Sequence, residues 1–447
     1  MANYIPFDRD QSYLLPPDLK EWVPSDDVSH FVIAATERVS LDAFVIAERS
    51  GGKPQYHPRL MLALLVYCYA NGLFSSRRIE RATYRDVGVR FVAANLHPDH
   101  DTIATFRRTN KAAFEAAFLE VLLLAQGSGL LRMGAVSIDG TKIDADASKI
   151  RSVRYDRARA LRTKLAADIA ALVSQAETAD QTEIDPQAMP AELARREALK
   201  AKLDAACARM EAEARAKAAA ERPDYEAKRA AYEAKKGRRG RPPKPPSDEP
   251  PPDQQSNLTD PDSALMRRSM AHELRQAYNA QAVVCAEGTQ LILATNLTAS
   301  PSDAPSFAPT ILGMEQTIGL PRTVLADAGF ASGPAVAALA KHGIEPLVAI
   351  GRMQPHRPYD FRPPPEPKKA RRITEPWRIA MMAKLQTDDA KALYSRRKHT
   401  VEPVFGIIKS ALGFRRFRLR GLQNVATEWS LIALAYNCRR LNRLQTG

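Results

Sequence analysis

Cysteine is scarce in this chain: Cys68, Cys207, Cys285 and Cys438 are the only four among 447 residues. They lie far apart, and no pair has the C-x-x-C spacing of a zinc or redox site. A small disulfide scaffold is therefore excluded, and a reduced intracellular compartment is expected. Long hydrophobic runs are lacking too. The longest charge-free apolar stretch, residues 60–74, falls short of the roughly 20 residues that span a bilayer and reads as a buried helix. The N-terminus, MANYIPFDRDQ, lacks the basic stretch and apolar run of a signal peptide. With 45% hydrophobic and 26% charged residues, a largely disordered chain and a collagen-like fibre are also ruled out.

What the chain does have is positive charge in one place. From residue 352 onward there are 21 Lys+Arg against 7 Asp+Glu, which accounts for the whole net charge of +14. Charge concentrated in this way suits a polyanion, most commonly nucleic acid, although a solubilising basic tail has the same composition.

A chain of 447 residues suggests two or three domains. Residues 1–130 read as a helical domain, with apolar periodicity over 57–74, 75–96 and 100–125, and with Asp101 or Thr102 as the cap of the last helix. Residues 131–149 hold a buried strand, LRMGAVSIDGTKID. Residues 150–256 differ in kind. An Ala-, Glu-, Lys- and Arg-rich stretch places Leu161, Leu165, Ile169 and Leu172 on one face, breaks at Pro186 and Pro190, and resumes with Leu193, Leu199, Leu203 and Met210. This predicts a coiled-coil-like hairpin of two long helices, followed over 235–256 by a flexible linker rich in proline and charge. Because the strand pattern stops before this stretch and resumes after it, the whole reads as an insertion. Residues 257–447 then run strand, strand, helix, strand, helix, strand. A hairpin spans 277–299, Ser302 caps a helix through Ile318, strands cover 321–330 and 345–351, a helix covers 332–343, and basic helices follow. The pattern is that of an α/β protein.

Two of the apolar strands are read as ending in an acid, Asp139 in AVSIDGT and Asp327 in TVLADAGF. Carboxylates where a sheet opens can hold hard divalent cations such as Mg²⁺, and two such ions can clamp a phosphoryl displacement. An Asp in a turn is also simply a good turn former. A third acid, Glu402, falls in the first turn of a helix that Thr400 can cap, with Lys409 two turns further along the same face. The helix dipole alone favours a glutamate there.

Together these residues resemble the DDE transposases of bacterial insertion sequences, in the branch marked by a Tyr-Arg-Glu-Lys signature. The resemblance rests on SIDGTK (137–142), ADAGF (326–330) and VEPVFGIIK (401–409) followed by GFRRFRLRGL (413–422). It extends to PDHDTIATFR (98–107), SSRRIE (75–80) and YNAQ (278–281). It implies an RNase H-like catalytic core, with Asp139 on the first strand, Asp327 after the fourth and Glu402 on the helix that follows the fifth. The three acids would hold two Mg²⁺ ions, for which Mn²⁺ can substitute. Water would cut the element end to leave a 3′-OH, and that hydroxyl would attack target DNA. Double-stranded DNA, a homodimer and a cytoplasmic, nucleoid-associated location are the implied partners and setting. Tyr394, Arg397 and Lys409 would complete the signature. Four residues separate Arg397 from Glu402 where the family has three, so Lys398 is the alternative to Arg397.

Arg415, Arg416, Arg418 and Arg420, with Lys409 and interleaved with Phe414 and Phe417, read as a phosphate-binding stripe; the other reading makes the two phenylalanines core residues. By analogy with the family, the N-terminal domain, including Ser75, Arg77 and Arg78, would recognise the element's ends. Arg239-Gly240-Arg241-Pro242 resembles an AT-hook, and a basic proline-rich linker produces the same letters. His97 and His100 lack a third ligand and read as structural. Asp144, Asp146, Asp260, Asp262 and Asp303 are further acids near the core strands, of which Asp303 is placed to help order the site. A DNA-binding protein without chemistry and a nuclease of the same fold are the alternative functions.

Overall fold

The computed structural model describes residues 18–46, 54–179, 188–234, 241–267, 273–351 and 373–446, which form a mixed α/β fold. Its strands are β1 (Ala135–Asp144), β2 (Ser152–Arg154), β3 (Gln255–Asn257), β4 (Ala264–Met266), β5 (Arg275–Cys285), β6 (Ile292–Thr298), β7 (Thr323–Ala326) and β8 (Glu345–Val348). The main sheet has the order β4-β5-β1-β7-β8, with β6 also paired to β5. β7 runs parallel to β1 and β8 parallel to β7, whereas β5 and β6 form the antiparallel hairpin expected over 277–299. Val136, Ser137, Ile138, Val324, Leu325 and Ala326 are all fully buried. That burial on both faces explains why these strands read as continuous runs rather than alternating ones.

The described residues fall into two compact units, one within 1–143, 279–419 and 423–447, the other within 144–278 and 420–422. In the first unit the helix Pro58–Ala70 buries ten consecutive residues, Met61–Ala70, in keeping with a sequence that has no polar face. Neighbouring helices are shorter than their periodicity suggests. The 75–96 pattern splits into Ser76–Arg85 and Val87–Val92, because Asp86 turns extended and its carboxylate accepts the Val89 N–H at 2.9 Å. The 100–125 pattern splits into His100–Thr109 and Lys111–Gly127 at Asn110, whose Oδ1 accepts the Val45 N–H at 2.8 Å. The cap of the former helix is Asp99, not Asp101 or Thr102. Its extended backbone lets the carboxylate reach the Thr102 N–H at 2.8 Å. Ser302 caps nothing. Pro305 and Pro309 lack the N–H that a long helix needs, so the segment becomes the 3₁₀ turn Ala304–Ser306, the helix Phe307–Leu312 and the 3₁₀ turn Gly313–Gln316. Ser332 does cap the helix Gly333–Lys341, accepting the Ala335 N–H at 3.5 Å.

The second unit contains the expected helical hairpin, Tyr155–Ala179 against Ala188–Glu233. Leu203, Ala206, Cys207 and Met210 form its seam with Leu161 and Leu165. Pro186 lies outside the described residues, and Pro190 sits in the first turn of the second helix, where a missing N–H is tolerated. The described part of the anticipated linker, 241–254, is not free of contacts. Tyr155 N–H donates to Gln254 O at 2.9 Å and Asp156 N–H to Pro252 O at 3.1 Å. β3 pairs antiparallel with β2, and Pro250 is buried. Proline-rich chain can pack in this way because its extended backbone offers few donors to satisfy.

A buried polar cluster ties the helices of the first unit to its C-terminal helix, Leu422–Thr446. Glu428 is wholly buried and accepts from Tyr69 Oη (3.1 Å) and from the N–H groups of Arg418 (2.8 Å) and Leu419 (3.0 Å). Arg107 donates to Tyr69 Oη at 2.8 Å and lies 4.0 Å from the carboxylate. Burial pushes the Glu428 carboxyl above its ordinary pKa, against the pull of Arg107 and the two amides. Glu428→Leu removes the acceptor for these donors and leaves the buried Arg107 charge without its carboxylate, and should cost about 3–5 kcal/mol. A denaturant midpoint equal to that of the wild type would contradict this.

Candidate active site

Asp139 does not end its strand. β1 continues to Asp144, and Asp139 lies where its buried half, Ala135–Ile138, gives way to half-buried residues. The cause is the short neighbour: β7 pairs with β1 only over Ala135–Ser137 and ends at Ala326. Extending the Ser137↔Leu325 register by two residues brings Asp139 level with Asp327. Asp327 is a true strand end, and its Oδ1 accepts the Gly329 N–H at 2.8 Å to cap a 3₁₀ turn.

Glu402 stands in the first turn of the helix Val401–Gly406, whose Val401, Val404 and Phe405 are buried. The Thr400 side chain does not cap this helix; its hydroxyl donates backwards, to Arg396 O at 3.2 Å and Arg397 O at 2.9 Å. Nor does a regular α-helix carry on to Lys409. Residues Ile407–Ala411 form a π turn, with Leu412 N–H bonding Ile407 O at 2.9 Å. Such turns often occur at functional positions. From it, Lys409 Nζ donates to Thr141 Oγ1 and to Lys142 O on β1.

The three acids meet at one cation. Arg397, in the 3₁₀ turn Arg396–His399, donates from Nη2 to Asp139 Oδ2 at 2.8 Å. The same nitrogen lies 3.9 Å from Asp327 Oδ2, and Nη1 lies 3.8 Å from Glu402 Oε1. The Arg397 side chain is 13% exposed, whereas Lys398 is turned to solvent, so Arg397 is the cation that reaches the acids. Tyr394 Oη donates to Ala326 O at 3.1 Å, just before Asp327, and burial pushes its phenol up. Burial, with repulsion from Asp327 and Asp303, raises Asp139 to about 6 against the pull of Arg397 and the Gly140 N–H. Burial pulls the Lys142 ammonium down, opposed by Asp303, Asp139 and Asp327.

Among the described residues no three His, Cys, Asp or Glu side chains are grouped so as to hold a metal ion by themselves. The acids converge instead on the guanidinium. Their carboxylate oxygens are nevertheless the hard donors that Mg²⁺ or Mn²⁺ takes, so the donor chemistry fits such ions.

The other expected residues scatter. Phe414 and Phe417 are fully buried and pack edge to face at 5.4 Å, with Phe414 also against Phe74 at 5.0 Å. They are core residues, and the interleaved stripe gives way to an alternation in which Arg415, Arg416 and Arg418 face solvent. Arg415 Nε donates to Lys409 O at 3.0 Å. In the second unit Arg420 pairs with Asp146 at 2.8 Å, Arg275 lies 3.3 Å from Asp144, Tyr278 donates to Asp260 at 2.9 Å, and Arg209 bonds Asp262 at 2.6 Å. Those four acids are thus engaged away from Asp139. Arg239 and Gly240 lie outside the described residues, and Arg241 and Pro242 are exposed. His97 bonds Thr83 Oγ1 at 3.1 Å and stacks on Tyr84, and His100 bonds Glu80 at 2.8 Å. Both are structural. Arg77 and Arg78 are exposed on the helix Ser76–Arg85. Lys142, Asn279 and Gln281 line the site; the sequence offers them only inside the SIDGTK and YNAQ motifs, with no role attached, and the period-two spacing of Asn279 and Gln281 was the available signal.

Residues 257–438 match the transposase DDE domain, and residues 17–109 match the transposase domain (DUF772). No curated protein and no solved structure matches the chain. The two domains support a DDE transposase, and with it a transposase function. Asp327 and Glu402 fall inside the matched DDE range, while Asp139 precedes it, with the helical hairpin between them in sequence. No helix among the described residues is long and apolar enough to cross a membrane.

The folded chain holds the Asp139 proton up to about pH 6, whereas an unfolded chain releases it near the ordinary aspartate value of 3.8. The stabilisation this proton provides is complete below the lower value and is lost as pH rises through the upper one. Asp139→Asn, which does not titrate, should therefore melt higher than the metal-free wild type at pH 7.5, with the difference shrinking towards pH 4. Melting curves across this range check it, and a difference that grows on acidification would refute it.

Proposed function

We propose that the protein is the transposase of an insertion sequence, cutting the element's ends and joining them to target DNA at the site formed by Asp139, Asp327 and Glu402. The observation that carries this reading is the convergence of three acids, 75 residues or more apart in sequence, on a single half-buried guanidinium. The order β6-β5-β1-β7-β8, with β1, β7 and β8 parallel, supports an RNase H-like core. In that core Asp139 is on the first strand, Asp327 follows the fourth, and Glu402 is on a helix after the fifth.

Asp139, Asp327 and Glu402 would hold Mg²⁺, with Mn²⁺ as a substitute. Bound there, the metal would stabilise charge on the scissile phosphate and on the attacking and leaving oxygens. The chain's own residues bind and orient the DNA. Arg397, able to exchange a carboxylate for a phosphate oxygen, would grip the backbone at the cut, and Lys409 would be aimed by its bond to Thr141. Tyr394, fixed to Ala326 O, would pack beside the phosphate, with Lys398 alongside. Arg415, Arg416 and Arg418 offer exposed phosphate contacts. Water attacks the phosphodiester at the element end and releases a 3′-OH, which then displaces a target 3′-oxygen in line. The N-terminal helices would recognise the ends, and two copies would hold two ends together, with the helical insertion as a dimerisation element. The substrate sets the place of action on the chromosome, in the cytoplasm.

The test uses purified protein and DNA carrying the gene with its flanks, with new 3′-OH ends mapped in Mg²⁺. Discrete cuts at inverted repeats are expected from the wild type, and none from Asp139→Asn, Asp327→Asn or Glu402→Gln, all of which should still retain DNA. Retained cleavage by Asp327→Asn would remove that residue from the site. Binding without cutting by the wild type would mean a DNA-binding protein, and cutting without joining a nuclease.

A further inference from the structure

A fourth carboxylate stands at the site. Asp303 precedes the 3₁₀ turn Ala304–Ser306, and its Oδ1 accepts from Asn279 Nδ2 at 2.6 Å and Gln281 Nε2 at 2.9 Å. Lys142 Nζ lies 3.9 Å from the same oxygen. Both amide side chains come from one face of β5 and are fully buried. Gln281 is itself locked, because its Oε1 accepts from Asn296 Nδ2 at 2.9 Å and its backbone carbonyl from Trp429 Nε1 at 2.9 Å. Asp303 is thus held by an ordered network rather than by a flexible surface contact.

Its two oxygens face the backbone next to the two acids, within β1 beside Asp139 and in the 3₁₀ turn after Asp327. A Cβ on Gly140, next to Asp139, would lie 2.6 Å from Asp303 Oδ1 and 2.8 Å from Asn279 Oδ1. A Cβ on Gly329, two residues after Asp327, would lie 3.2 Å from Asp303 Oδ2 and 3.0 Å from Asp327 Oδ1. Glycine is needed at 140 because the carboxylate occupies the space a side chain would take, and Gly329 leaves little room for one. A single side chain therefore abuts the backbone beside both acids.

We propose that Asp303 is a positioning residue, a strut that sets the separation of Asp139 and Asp327. The proposal rests on the transposase reading for its purpose, since the separation matters only if the two acids share a ligand. Another negative charge beside Asp139 is electrostatically unfavourable, but two amides and Lys142 offset it. A rigid acceptor at this point keeps β1 and the turn after Asp327 from closing or drifting apart.

Binding of Mn²⁺ to the full-length protein without DNA, followed by electron paramagnetic resonance, tests this, with Asp139→Asn identifying the signal from the site. Asp303→Ala, which empties the space between the glycines, should weaken Mn²⁺ binding by roughly tenfold or more. Asp303→Asn keeps the volume and the acceptor oxygen and should restore binding to within about threefold of the wild type, well inside that loss. Melting temperatures identify any variant that fails to fold. Wild-type affinity in Asp303→Ala would overturn the strut. Equal loss in Asp303→Ala and a folded Asp303→Asn would make Asp303 a metal ligand and overturn it as well. If the wild type binds Mn²⁺ through Asp139 but cuts no DNA, the transposase reading fails while the strut stands. If it binds no Mn²⁺ at this site, both fall.

Discussion

One guanidinium set against three carboxylates is the interaction on which the site depends. Asp139, Asp327 and Glu402 would repel one another if gathered alone, and Asp139 already pays for burial with a pKa raised to about 6. Arg397 offsets part of that repulsion by touching Asp139 at 2.8 Å while staying within 4 Å of the other two acids. Opposite charges at such distances in a half-buried setting interact by several kcal/mol, roughly 4 at an effective dielectric near 20. The arrangement requires three things at once: the β1–β7 register that levels Asp139 with Asp327, the 3₁₀ turn that aims Arg397 inward, and the helix start that presents Glu402.

The surroundings hold these parts in place through buried contacts rather than through the charged groups themselves. Val401, Val404 and Phe405 seat the Glu402 helix, and the π turn after it re-aims Lys409 towards β1. Phe414 and Phe417 anchor the following segment, so that the arginines between them are turned to solvent. Glu428 then fixes the backbone of Arg418 and Leu419 and reaches Tyr69 and Arg107 on the N-terminal helices. The basic segment and the helical region of the first unit are thereby parts of one buried framework. On the proposed function, this framework would couple the exposed arginines mechanically to the acids.

Much of the fold was legible because it is written in local patterns. The apolar runs around Val136 and Val324, the hairpin about Gly288, the Ser332 cap and the seam of the long helices each depend on residues close in sequence or on simple periodicity. What escaped depends on partners far away. Asp139 looked like a strand end because its sequence cannot reveal that β7 stops pairing there. Arg397 and Lys398 were indistinguishable until the turn directed one inward. The breaks at Asp86 and Asn110 follow from side chains that bond backbone amides, which an apolar period does not register. β2 and β3 are three residues each and about a hundred apart, too short to stand out. Asp303 stands out in the sequence as an acid that can help order the site, but its approach to Gly140 and Gly329 emerges only from the fold.

If the three acids form one ion-binding site now spanned by Arg397, a divalent cation will enter among them. Anomalous diffraction from crystals soaked in Mn²⁺ locates that cation. A manganese peak is expected between the carboxylates of Asp139, Asp327 and Glu402, with the Arg397 guanidinium displaced from Asp139. Manganese bound elsewhere, with Arg397 still bonded to Asp139, would contradict it.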